Sequence, residues 1–228
     1  MIGIIGAMAV EIDELREKLT DPTDQVISNI RFTRGKLAGK DVVLAVCGIG
    51  KVFAAICAQT MILTYRPELI INTGVAGGLD EDLKIGDVVV ATKLVQHDMD
   101  TTPLGDPPGL ISGINVVEFP ADESAAQLMR ECVSEQGVGC RLGLIASGDQ
   151  FVAGGEKKDF IKSTFHASAC EMEGASIAHT AYVNGVPFAV IRAISDGAND
   201  DSHMDYPTFV KIAAHRSALA VEAFVSKR

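Results

Sequence analysis

Acidic side chains and one arginine stand in the C-terminal third of this chain among segments that otherwise read as core. Cys170-Glu171-Met172-Glu173-Gly174-Ala175 leads into a helical run, and the apolar stretch from Val186 ends in Arg192, Ser195 and Asp196. Removing an ionised group from water costs on the order of several kcal/mol, so such groups are paired or put to use. An apolar strand ending in Arg-x-x-Ser-Asp points to a cleft at the carboxyl end of a sheet. Glu11 follows the first apolar strand and reaches the mouth of the same kind of cleft. It reads either as a partner of a helix dipole or as a general base that activates water. Asp196 reads either as the N-cap of a following turn or as a general acid held by Ser195. Glu171 and Glu173 alternate, so on an extended segment they share a face, and one of them could chelate a diol.

Around these acids, glycine-rich turns follow several strands: Gly6-Ala7-Met8, Gly48-Ile49-Gly50-Lys51, Gly74 to Gly78, and Gly148-Asp149. Each is a tight strand-to-helix turn on its own, while four at one sheet edge would let several backbones approach one ligand. None has dinucleotide-fingerprint or Walker spacing. Phe151 and Tyr206 lie in loop-like stretches beside glycines or proline, where an aromatic ring packs in the core or stacks on a planar base. His97-Asp98-Met99-Asp100 has metal-ligating residue types, but nothing else in the sequence completes a ligand set, and a structured loop accounts for it. Cys170 has no cationic or histidine neighbour in sequence to activate it as a nucleophile.

The elements that must hold these residues alternate short apolar strands with helices. Strands are predicted at Ile2–Ile5, Asp41–Cys47, Leu69–Asn72, Gly86–Val95, Leu142–Ser147 and Val186–Ile194. Helices are predicted at Glu11–Leu19, after Gly48-Ile49-Gly50 to about Tyr65, at Ala121–Gln136, Glu156–Ile161 and Gly174–Tyr182, and at Pro207–Val225. That alternation predicts an α/β fold with one mixed, mostly parallel central sheet flanked by helices on both faces. The 228 residues, 47% of them hydrophobic, suit one domain over 1–228, with no polar linker to divide it. His97–Asn115, rich in proline and glycine, reads as a long functional or interface loop. A net charge of −10 argues against nucleic acid or an anionic membrane surface as partner. No apolar run reaches the length of a membrane span. Five cysteines without a C-x-x-C pair suit a reduced, cytoplasmic protein.

Seven ordered blocks together resemble the 5′-methylthioadenosine/S-adenosylhomocysteine nucleosidases of the nucleoside phosphorylase superfamily. They are residues 2–8 with Glu11, 48–52, 70–79, 86–90, 147–151, 171–173 and 192–196. The resemblance implies hydrolysis of the N-glycosidic bond between adenine and a 5′-alkylthioribose, without cofactor or metal, through an oxocarbenium-like transition state. It implies that Glu11 holds and deprotonates the attacking water near Arg192, and that Asp196, oriented by Ser195, protonates the adenine. Glu173 and the Met172 backbone would bind the ribose diol, Phe151 would stack on the purine, and the Val152 backbone would read the adenine edge. Met8, Ile49 and Tyr206 would line the alkylthio pocket. A homodimer is implied, with the loop around Thr101 and Leu104 closing the partner's pocket. Glu171 receives no role. The sequence departs from the family where many members carry serine and this chain has Val75, where phenylalanine is common and it has Tyr206, and in a lid segment without aromatics. A phosphorylase would need an arginine and a hydroxyl for phosphate, and Asn72-Thr73-Gly74-Val75 lacks that pattern. A non-catalytic nucleoside-binding protein would be expected to have lost one of the acids, and Glu11, Glu173 and Asp196 are all present.

Overall fold

A computed structural model describes the backbone of residues 1–196 and 206–228, and the side chains of 1–196 and 208–228. Its strands are β1 (Ile2–Gly6), β2 (Thr20–Ile27), β3 (Ile30–Leu37), β4 (Lys40–Val46), β5 (Leu69–Gly78), β6 (Val88–Gln96), β7 (Glu118–Pro120), β8 (Cys140–Ser147), β9 (Ala167–Glu171) and β10 (Phe188–Asp196). The α-helices are α1 (Asp13–Glu17), α2 (Lys51–Tyr65), α3 (Glu123–Glu135), α4 (Glu156–Phe165), α5 (Gly174–Val183) and α6 (Tyr206–Lys227). Short 3₁₀ turns form at Ala9–Glu11 and Thr102–Leu104.

All ten strands belong to one sheet, ordered β10-β6-β8-β9-β5-β1-β4-β3-β2, with β7 on β6. An additional pairing of β10 with β5 closes β5, β10, β6, β8 and β9 into a ring, from which β1, β4, β3 and β2 fan out. The sheet is mixed as expected, but antiparallel pairings are as numerous as parallel ones. Two of the antiparallel pairings, β2 with β3 and β3 with β4, come from the β2–β3 hairpin, which the sequence did not predict. Its first strand is exposed nearly throughout and contains Pro22, so it carries no apolar signal. Ser28 and Asn29 turn it with φ of 52° and 60°, the left-handed conformations a tight hairpin requires.

The period of two along the strands splits the core between the two faces of the sheet. Ile5, Val43 and Ile70 pack with α2 and α5 on one face. Their neighbours Ile4, Leu44 and Ile71 pack with α1, α3 and α6 on the other. Two predicted elements change in ways that matter for the site. The helix expected over Glu11–Leu19 shortens to α1, because the chain first makes the Ala9–Glu11 turn that folds Glu11 back. The glycine-rich run Gly74–Gly78, expected as a turn, is the second half of β5; it pairs with β10 and then, at Gly77 and Gly78, with β9.

Candidate active site

The segments leaving β1, β4, β8, β9 and β10 converge on this second half of β5. They border a cavity that opens to solvent on one side. Its wall includes Met8, Glu11, Ile49, Phe151, Val152, Met172, Glu173, Ser195 and Asp196, residues that the sequence spreads over 189 positions. Val75 and Cys170 also border it.

Glu11 is almost fully buried. Its Oε2 accepts the N–H groups of Ala7 at 2.8 Å and Met8 at 2.9 Å, as a third-position glutamate does in a capping box. Its Oε1 accepts the Val75 N–H at 3.1 Å. The carboxylate thus caps its own turn and at the same time faces the cavity. Burial pushes its pKa up, and the Arg192 charge with the three N–H groups only partly offsets this. β5 passes so close that a Cβ on Gly74 would lie 2.5 Å from Glu11 Oε1, and one on Gly77 would lie 2.9 Å from Asp196 Oδ2. Asp196 is the last residue of β10, past a register shift against β5 that re-aims its side chain. The Ser195 hydroxyl donates to its Oδ1 at 2.9 Å.

Glu171 and Glu173 do not act as a pair on one face. Glu171 ends β9, and its carboxylate accepts the backbone N–H of Glu173 at 3.0 Å and of Gly174 at 2.8 Å, capping α5 with negative charge. It also accepts the Ser147 hydroxyl and the Arg192 guanidinium. Burial pushes the Glu171 carboxyl up, but Arg192, Ser147 and the Gly174 N–H outweigh that and hold it below the usual range. Glu173 instead turns into the cavity and takes the Gly50 N–H at 2.8 Å. Burial, reinforced by the charge of Glu171, raises it to about 7.

Arg192 departs from expectation. Expected near the water that Glu11 holds, it is 1% exposed and not among the residues that line the cavity, although its charge acts on Glu11. Its guanidinium is held by Glu171, by Asn72 Oδ1 at 2.5 Å and by the Ile191 carbonyl at 3.2 Å. Asn72 in turn donates to the Ile5 carbonyl at 2.9 Å. Glu171, Asn72 and Ser147 are the residues that sequence reasoning left without a role. A buried arginine needs a buried acid, and that was the available signal for Glu171.

Phe151 and Ile49 are on the wall yet 63% and 56% exposed, so the mouth is wide. Thr101 and Leu104 are not on the wall, and Leu104 is 83% exposed. Their loop is ordered by its own bonds, including Thr101 Oγ1 to Asp106 at 2.8 Å and the Gly109 N–H to the Met99 carbonyl at 2.9 Å. The Tyr206 side chain, expected in the alkylthio pocket, lies outside the described residues. Cys170 is pushed up to about 12 by burial and neighbouring acids, which keeps it a thiol. Among the described residues no three His, Cys, Asp or Glu side chains are grouped to hold a metal ion, and no helix is long and apolar enough to cross a membrane.

The family profile described as the phosphorylase superfamily matches residues 1–226. The chain is 42% identical over 95% of its length to a 5′-methylthioadenosine/S-adenosylhomocysteine nucleosidase of Actinobacillus succinogenes, covering 94% of that protein. It superposes with a TM-score of 0.95 and 37% identity on the Neisseria meningitidis enzyme of that name crystallised with methylthio-immucillin-A, covering 100% of this chain and 99% of that one. It also superposes on a futalosine hydrolase of Helicobacter pylori with a TM-score of 0.94 and 38% identity, covering 100% and 97%.

The Glu171–Arg192 pair is the feature on which the rest of the site hangs, and removing one partner leaves an uncompensated buried charge. Glu171→Gln and Arg192→Met are each expected to destabilise the protein by about 3–5 kcal/mol in denaturant titrations. The double variant should lose clearly less than the two singles summed. Additive losses would show that the pair is not coupled.

Proposed function

The chain belongs to the phosphorylase superfamily and, within it, to the 5′-methylthioadenosine/S-adenosylhomocysteine nucleosidases, and on that footing we propose how its own residues carry out the reaction. The reaction is hydrolysis of the N-glycosidic bond of 5′-methylthioadenosine and S-adenosylhomocysteine, releasing adenine and the 5′-thioribose. We read residues 1–228 as one nucleosidase domain.

Cleavage passes through a sugar with cationic character at C1, so the site must protonate the leaving base, supply water and stabilise positive charge. Asp196, steadied by Ser195, donates its proton to the adenine as the bond breaks. Glu11 holds the water and takes its proton, a task its burial and raised pKa suit. Glu173 grips the ribose hydroxyls with the oxygen that Gly50 leaves available, and its charge favours the cationic sugar. The Met172 backbone joins that grip. Phe151 stacks on the purine and the Val152 backbone reads its edge. Met8 and Ile49 line the space for the 5′ substituent, where Tyr206 is expected to join them.

One observation supports water over phosphate as the nucleophile. Glu11, Glu171, Glu173 and Asp196 all border the cavity, and no lysine, arginine or histidine does among the described lining residues. The Arg192 charge is already engaged by Glu171. A phosphate dianion would meet carboxylates without compensation, which is strongly unfavourable in a partly dry site.

The working form in this reading is a homodimer. α2 buries Ala54, Cys57, Ala58 and Met61 against the sheet, while Val52, Phe53 and Leu63 stay 69%, 53% and 68% exposed. Val183 on α5 extends that apolar surface. Exposed apolar area of this kind marks an association face. A second copy seated there would bring its Thr101 and Leu104 over the open mouth at Ile49 and Phe151.

Adenine release from 5′-methylthioadenosine should fall by about 10²–10⁴-fold in Glu11→Gln and in Asp196→Asn, while a non-hydrolysable nucleoside analogue still binds. Near-normal turnover in either variant removes that residue from its role. The raised Glu173 group adds a pH test. In the free protein it is protonated below about 7, and the diol grip uses the carboxylate. Analogue affinity measured by calorimetry should be level above that pH and weaken by up to about tenfold per unit below it. Glu173→Gln should flatten the profile, and a wild-type profile already flat between pH 6 and 8 would contradict the assignment.

A further inference from the structure

The Gly50 N–H aims Glu173 at the cavity, and Gly50 is itself held by charged residues that the reaction does not use. The Lys51 N–H donates to Asp149 Oδ1 at 2.7 Å. The Lys51 ammonium donates to Asp98 Oδ1 at 2.6 Å and to Gln96 Oε1 at 3.2 Å. Asp98 Oδ2 accepts the Asp149 N–H at 2.9 Å. Lys51, Asp98 and Asp149 thus close a ring of hydrogen bonds joining the start of α2, the segment after β6 and the segment after β8.

The ring is tight where it meets the site. Gly50 has φ of 97°, a conformation that favours glycine, and a Cβ there would lie 2.9 Å from Asp149 Oδ1. The Lys51 and Asp98 side chains are only 19% and 16% exposed, so solvent screens their ion pair less than it would a surface pair. Burial pushes the Asp98 carboxyl up, but Lys51 and the Asp149 N–H more than offset it, and Asp98 stays ionised. Two sides of the ring continue directly into the cavity wall. Gly50 and Ile49 precede Lys51, while Gln150, Phe151 and Val152 follow Asp149.

We propose that Lys51, Asp98 and Asp149 form a positioning clasp that fixes the Glu173 carboxylate and the Phe151 wall relative to each other, and so sets the enzyme's demand for a sugar with free hydroxyls. This rests on the reading of Glu173 as the ribose ligand. None of the three side chains borders the cavity, so their effect on the substrate runs through Gly50, Glu173 and the 150–152 wall.

The test is a grid of kcat/KM values for wild type, Asp98→Ala, Lys51→Met, Lys51→Arg and Glu173→Gln. Each is measured on 5′-methylthioadenosine and on its 3′-deoxy analogue, with thermal melts to restrict the comparison to folded protein. Asp98→Ala and Lys51→Met should each lose about 10–100-fold on the parent nucleoside. They should lose several-fold less on the deoxy analogue, where the misaligned grip is no longer in use. Lys51→Arg should recover most of the activity. Equal losses on both nucleosides, or none, in variants that remain folded overturn the clasp, provided Glu173→Gln discriminates between them. If Glu173→Gln itself ignores the hydroxyl, the reading of Glu173 fails first. Lys51→Met leaves the Asp98–Asp149 bond in place and decides the matter if Asp98→Ala does not fold.

Discussion

A guanidinium sealed beneath the sheet's edge is the constraint from which the site follows. Arg192 is almost fully buried on β10, so its charge must be met by groups that are buried as well. Glu171 supplies the countercharge and Asn72 a further acceptor, while Asn72 is tied to the end of β1 through the Ile5 carbonyl. That chain of contacts joins β10, which ends in Asp196, β9, which leads to Glu173, β5, which carries the Val75 N–H, and β1, which leads to Glu11. Glu171 also caps α5, which begins immediately after Glu173. The residue without an evident task in the sequence thereby locates the others.

The same pairing decides the electrostatics. With Arg192 engaged by Glu171, the cavity keeps an excess of carboxylates, and burial drives the pKa of Glu11 and Glu173 upward. Such a site is poor at holding an anion and well suited to a sugar that becomes cationic. In the proposed mechanism, Glu11 as base and Glu173 as sugar ligand both draw on that excess. Arg192 stabilises Glu11 from a distance without touching the cavity.

Much of this was legible in the sequence, and what was missed has a physical pattern. The apolar strands β1, β4, β8 and β10 and the helices α2 and α5 announced themselves by composition and length. The acids were conspicuous because charged residues are rarely found within core segments. β2 was not legible, since an exposed edge strand containing proline has no apolar pattern to read. Gly74–Gly78 reads as a turn because glycines usually punctuate; here they let β5 approach Glu11 and Asp196. The position of Arg192 depended on a contact between residues 21 positions apart in sequence, which periodicity cannot express. Backbone donors such as the N–H groups of Ala7, Gly50 and Val75 carry no residue-type signal at all.

In the proposed mechanism this acid-lined cavity, with Arg192 beside it already paired to Glu171, admits water and refuses phosphate. The most direct measurement is mass analysis of the sugar released from 5′-methylthioadenosine across a phosphate titration. Free 5-methylthioribose is expected, at a rate that does not rise with phosphate. A sugar 1-phosphate whose share grows with phosphate concentration would contradict it.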